Sequence, residues 1–164
     1  MMISSCLQEF SKRLLWKGFL VADQEEENAP VIINAFASKE VRQGETWKVF
    51  LQAQDADGDM NRIVCALEQP GVGVHSVSLI KIREGRRRNL SGYIFLNTGS
   101  ASGFEFASCR LTVQIQDQKG NAGNSVSFPL TLNPRAVQEN PPPGIFQDED
   151  LGPVQIPFPS TPTP

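Results

Sequence analysis

The sequence predicts an all-β chain whose centre is an antiparallel sandwich of about seven strands. Three observations lead there. Between Pro30 and Asn133 the apolar residues recur with a period of two, and the stretches between the alternating runs are rich in Gly, Asp and Asn. The 164 residues also include 13 Gly and 12 Pro, which suits turns and extended chain better than a helical bundle.

Residues 1–29 read as an amphipathic helix followed by an acidic linker. Ile3, Leu7, Phe10 and Leu14 follow the i, i+4, i+7, i+11 spacing of one helical face, and Ser5 with Gln8 resembles a capping box. Gly18 either ends a helix over residues 3–20 early or weakens its last turn. Its polar side carries Lys12, Arg13 and Lys17, with Trp16 and Phe19 close by. A basic amphipathic helix with a Trp suits contact with a membrane surface or a partner through Leu7, Phe10, Leu14 and Trp16. Packing against its own domain suits the same pattern, and both readings stand. A secretory signal fits poorly, because Lys17 interrupts the apolar stretch Leu14 to Ala22. Leu20-Val21-Ala22 resembles the start of a lipoprotein cleavage box, but Asp23 stands where the lipidated cysteine belongs. The acidic run Glu25-Glu26-Glu27 closes the segment.

Residues 30–133 form the sandwich. Val31–Ala37 comes first; then Trp47, Val49, Leu51 and Ala53 alternate with polar neighbours. Ile63, Cys65 and Leu67 follow, then the runs Ser76–Arg83 and Gly92–Asn97. Leu111, Val113 and Ile115, and finally Val126, Phe128, Leu130 and Leu132, complete the pattern. Only one face of each sheet meets the core, which explains the alternation. The strand Tyr93-Ile94-Phe95-Leu96 is apolar on both faces and Phe50 has outward parity, so a helix or partner is expected to cover them. Residues 134–164 hold nine prolines, including Pro141, Pro142 and Pro143, and favour extended polyproline II. That stretch is an arm suited to docking, because its backbone has little entropy left to lose.

Asp55-Ala56-Asp57-Gly58-Asp59-Met60-Asn61 is the strongest local signal. Alternating acidic residues around a Gly can surround Ca²⁺, which takes six to eight oxygens. The pattern departs from an EF-hand: Ala66 occupies the twelfth position, and a strand follows instead of a helix. A plain turn, with Asp and Asn bonded to their own backbone and Gly at positive φ, accounts for the same residues. In an Ig-type sandwich this turn shares an end with Asp117-Gln118-Lys119-Gly120-Asn121, so Asp117 is expected to face Asp55 or Asp57. The candidate calcium set is therefore Asp55, Asp57, Asp59, Asn61 and Asp117.

Gly44-Glu45-Thr46-Trp47-Lys48-Val49, the Asp55–Asp59 stretch, and Leu111-Thr112-Val113 with Asp117 and Gly120-Asn121 together resemble bacterial Ig-like domains of the PKD and cadherin-like kind. The resemblance covers roughly Ala29 to Asn133. It implies an Ig-like sandwich and an exported module, periplasmic or at the cell surface, with an adhesion, spacer or carbohydrate-associated role. The sequence departs from it in lacking the aromatic-Asp-Phe-Gly-Asp-Gly stretch of PKD repeats and the Cys…Trp…Cys spacing of antibody domains.

Other residues bear on partners and chemistry. Cys65 and Cys109 share inward parity on neighbouring strands; two buried thiols or a cross-strand disulfide fit, with Cys6 left over. Arg86, Arg87 and Arg88 sit in an expected hairpin turn, Glu84 to Asn89, where they can grip carboxylate or phosphate. The acidic clusters Glu25–Glu27 and Asp148–Asp150 are complementary to them. His75 has no neighbouring nucleophile or orienting acid in sequence, and no Gly-x-Ser-x-Gly or phosphate-cradling loop occurs. A net charge of −3 disfavours nucleic acid as a partner. The expectation is a non-catalytic structural subunit that docks on a larger, membrane-associated protein assembly through its sandwich and tails. The alternative is a calcium-stiffened or carbohydrate-binding surface module.

Overall fold

The computed structural model describes residues 28–70, 73–99 and 106–156, with 73–76 described as backbone. The expected helix over residues 3–20 lies outside the described residues, as do residues 157–164 of the arm. Nine strands are present among the described residues, in two sheets. In chain order they are β1 Val31–Ala37, β2 Glu40–Val41, β3 Thr46–Gln54, β4 Met60–Gln69, β5 Gly73–Lys81, β6 Asn89–Asn97, β7 Ser108–Asp117, β8 Ala122–Leu132 and β9 Asp150–Pro153. The seven strands read from alternation are all there. The two additions are too short to show a period.

One sheet has the order β1-β3-β6-β9 and the other β2-β8-β7-β4-β5. Pairing is antiparallel except for β2 with β8 and β6 with β9. Inward residues of both sheets merge into one core, including Trp47, Leu51, Ile63, Leu67, Ile94, Leu111, Ile115 and Leu130, all at most 1% exposed. Trp47 fits there because its indole Nε1 donates to the Ser38 carbonyl at 2.8 Å, so no polar hydrogen is buried without a partner. Cys65 lies opposite Val113 and Cys109 opposite Leu130, both buried and both free thiols. Burial pushes their pKa values up to about 12 and about 11.

The stretch Glu84 to Asn89 is not a hairpin. It carries the chain from β5 in one sheet to β6 in the other, through one short 3-10 turn at Glu84–Arg86. Its backbone is tied to the loop after β3: Asp55 N donates to the Arg88 carbonyl at 3.0 Å and Met60 N to that of Arg87 at 3.2 Å. The arginines therefore stand beside the acidic stretch and not at the tip of a solvated turn.

The described part of the arm, residues 134–156, lies on the sandwich. Gln138 Nε2 donates to the Thr46 carbonyl and Glu139 N to Ser38 Oγ, placing its start beside the beginning of β3. It then crosses the outer face to Ser91, whose Oγ accepts from Gln147 N at 3.0 Å. There it hooks around the edge and returns as β9, parallel to β6. Leu151 packs against the core, which Val154 and Ile156 join as buried members.

Candidate functional site

Two regions concentrate the residues singled out by sequence. The first is the acidic end, where the β3–β4 and β7–β8 loops meet. Asp55 is 3% exposed and works as a turn former: its Oδ1 accepts from Asp57 N and its Oδ2 from Asp59 N, both at 3.1 Å. Gly58 takes φ 74°, the conformation that such a turn asks of glycine. Asp117 does the same in the opposing loop, accepting from Asn121 N at 2.8 Å and from Asn121 Nδ2 at 2.9 Å. The two loops are joined where Gln118 N donates to the Asp59 carbonyl at 3.1 Å. Asp117 thus lies at the same end as the Asp55–Asp59 stretch, where its charge acts on Asp59 in place of the expected Asp55 or Asp57.

Asp59 lies between these two carboxylates, and one of its oxygens, Oδ1, is buried with no hydrogen-bond partner. Desolvation raises its pKa, reinforced by a side-chain hydrogen bond with Asp55 and by the negative charges of Asp117 and Asp55; Lys119 acts in the opposite direction. Lys119 bridges the stretch, with Nζ 3.3 Å from Asp57 Oδ2 and 4.0 Å from Asp59 Oδ2. Its own pKa is raised, first by the hydrogen bond to Asp57. Arg88 clamps the loop from the other side, donating to the carbonyls of Ala56 at 2.7 Å and Asp57 at 3.3 Å. Asn61 continues into β4, its carbonyl accepting from Ile82 N.

Asp55 and Asp117 each accept two hydrogen bonds from backbone or amide donors of their own turns. Among the described residues no group of three or more His, Cys, Asp or Glu side chains is arranged to hold a metal ion. The geometry is that of two interlocked turns braced by Lys119 and Arg88.

The second region is the outer face of the sheet that carries the arm. Phe50 has outward parity, yet is only 8% exposed because Phe146 of the arm covers it, ring centroids 5.7 Å apart. Tyr93 meets Phe50 from the neighbouring strand at 5.6 Å, and Lys48 Nζ lies 3.9 Å above the Tyr93 ring. Lys48 also reaches Asp148 Oδ1 at 3.6 Å. Arg86 anchors the hook: its guanidinium pairs with the Glu149 carboxylate and donates to Gln147 Oε1. Backbone pairing follows, with Tyr93 N donating to the Glu149 carbonyl and Val154 N to that of Phe95, both at 2.8 Å. The apolar outward face noted in the sequence is therefore covered by the chain's own arm.

The arm does not seal that face. Between it and β3 lies a cleft of about 460 Å³, lined by Lys48, Phe50, Gln138, Pro141, Phe146 and Asp148 among others. Pro141 lines it, and Pro142 and Pro143 lie exposed on the adjoining arm. Val137 and Ile145 on the same arm are 78% and 38% exposed. Of the three arginines, Arg86 holds the arm and Arg88 the acidic loop, while Arg87 keeps a buried Nε without a partner. Leu7, Phe10, Leu14 and Trp16 lie outside the described residues. No sequence signal singled out Lys119 or the short β9, which is followed by the buried pair Val154 and Ile156 at period two.

No known family and no curated protein matches the chain. Among the described residues no helix is long and apolar enough to cross a membrane.

Proposed function

We propose that the chain is a non-catalytic interaction subunit that docks on a larger protein assembly through the arm side of its sandwich. The observation that carries this is the open cleft between the arm and β3, with Val137 and Ile145 exposed on the arm beside it. Exposed apolar side chains around a concavity mark protein-binding surfaces. The arm under them is tied down by Arg86, Phe50 and β6, so a partner meets a preformed surface and little ordering entropy is lost. An Ig-like assignment of the two sheets belongs to this proposal and rests on the strand order together with the residues that resemble bacterial Ig-like domains. The periplasmic or cell-surface, membrane-associated setting implied by that resemblance is part of it as well.

The test is the native size of the full chain in a gentle detergent extract, followed by sucrose gradient and antibody detection. Migration in a complex far above 18.1 kDa, lost on Val137→Asp with Ile145→Asp, is the expected result. Migration at the size of the free chain, or a complex indifferent to both substitutions, overturns the proposal. Both residues are exposed, so the double variant keeps the fold.

A further inference from the structure

The other sheet has an outward face of a different character. β5 is its edge strand, and its Val77 and Leu79 are 57% and 56% exposed. Across the ladder Val77 pairs with Ala66 and Leu79 with Val64 on β4. These four form a contiguous apolar patch, bounded on β7 by Thr112 and Gln114. Arg62 and Lys81 stand at one end of the patch and Glu68 toward the other. No described residue covers it, and an exposed apolar edge of this kind invites association.

The chain carries a segment that matches this surface. Residues 1–27 leave the described body at a fixed place: Ile32 N donates to Asn124 Oδ1 at 2.8 Å, Asn124 Nδ2 returns a bond to the Ile32 carbonyl, and the Pro30 carbonyl lies against Gly123. That places the exit at the beginning of β8, at the sandwich end where β5 finishes at Lys81. From β8 to β5 is three strand spacings, roughly 15 Å. Five residues of extended chain span up to roughly 17 Å, so residues 23–27 are long enough to cross. They carry Asp23, Glu25, Glu26 and Glu27. On the far side wait Lys81 and Arg83, both exposed and, among the described residues, in no ion pair. The helix that the sequence predicts over residues 3–20 would be about 27 Å long. The 9 residues of β5 extend about 30 Å.

We propose that residues 3–20 dock in cis on the outward face of β4 and β5. Leu7, Phe10 and Leu14 cover Val64, Val77 and Leu79, and the acidic linker lies against Lys81 and Arg83. The amphipathic segment then closes the apolar face of β4 and β5, and its basic side stays in water. This goes beyond the docking role, which uses the opposite sheet, and can fail without it.

Cys6 makes the test direct. Cys65 and Cys109 are buried thiols, so a thiol-reactive nitroxide on the folded full chain marks Cys6. The expected result is strong broadening of the Val64, Val77 and Leu79 amide signals, reversed on reducing the label and absent in Phe10→Asp. In unlabelled protein, hydrogen exchange at residues 77–81 should be at least tenfold faster in Phe10→Asp than in wild type. Broadening confined to mixtures of labelled and isotope-enriched chains means a second copy covers the patch and overturns the proposal. Equal exchange in the two proteins overturns it, as does broadening that is absent with or without anionic vesicles.

Discussion

At the scale of single residues, the acidic end shows how one sequence signal hides two outcomes. The Asp-x-Asp-Gly-Asp spacing was legible and so was the approach of Asp117. What spacing does not reveal is where each carboxylate oxygen finds its hydrogen. Asp55 and Asp117 each accept from donors within their own turns, and Asp59 is left between them with a raised pKa. The folded state thus prefers Asp59 protonated, so its contribution to stability is complete below the ordinary aspartate pKa of 3.8 and is lost as pH rises through the higher folded value. Asp59→Asn should raise the melting temperature at pH 7, and the gain should shrink toward zero in melts below pH 3.8. A gain that persists unchanged in acid would show that charge is not the cause. The cysteines give a second residue-scale expectation. Burial keeps both strand thiols protonated at pH 8, so a colorimetric disulfide reagent should consume neither Cys65 nor Cys109 until denaturant is added.

Among the elements, β9 has the largest structural effect for its length. The Glu84–Arg86 crossover is so short that no further strand fits between β5 and β6, which leaves the β6 edge and the gap toward β5 to be filled from elsewhere. Leu151, Val154 and Ile156 fill it, and Gln155 N donates to Ser78 Oγ on β5 at 2.9 Å, tying the two sheets together along that side. Ile156→Ala should cost about 2–5 kcal/mol in urea unfolding, the range for truncating a buried isoleucine. Gly92 is a separate constraint, because a Cβ there would collide with the Glu149 carbonyl and the Leu151 side chain. Gly92→Val should detach the hook, seen as rapid protease nicking between residues 137 and 149, while the sandwich keeps its near-ultraviolet dichroism. Nicking as slow as in wild type would mean the arm is held by Phe146 and Arg86 without the strand. β9 shows no period because its four residues are too few to carry one and prolines lie in and around it. Charge was the better guide: Arg86 and the Asp148–Asp150 cluster were complementary, and Glu149 makes the pair.

For the whole molecule, the alternating strands were readable because each sheet buries one face, and that requirement writes itself into Trp47–Ala53 or Leu111–Ile115 residue by residue. Connections are another matter. Whether Glu84–Asn89 turns back in one sheet or passes to the other depends on which layer β6 joins, a tertiary choice that local turn chemistry does not encode. The same holds for Phe50, whose outward parity was plain while its cover, Phe146, lies far along the chain. The late position of β9 in the chain shapes how the protein is made. β9 is synthesised after every strand it touches, so on the ribosome β6 emerges with a bare edge and the core with an open flank, and both persist until the hook arrives. A parallel pairing between segments so distant in sequence is also slow to find. The nascent chain therefore passes through a nearly complete sandwich with one strand-shaped vacancy, and that interval is when a chaperone, or a neighbouring chain's apolar strand, has its opening.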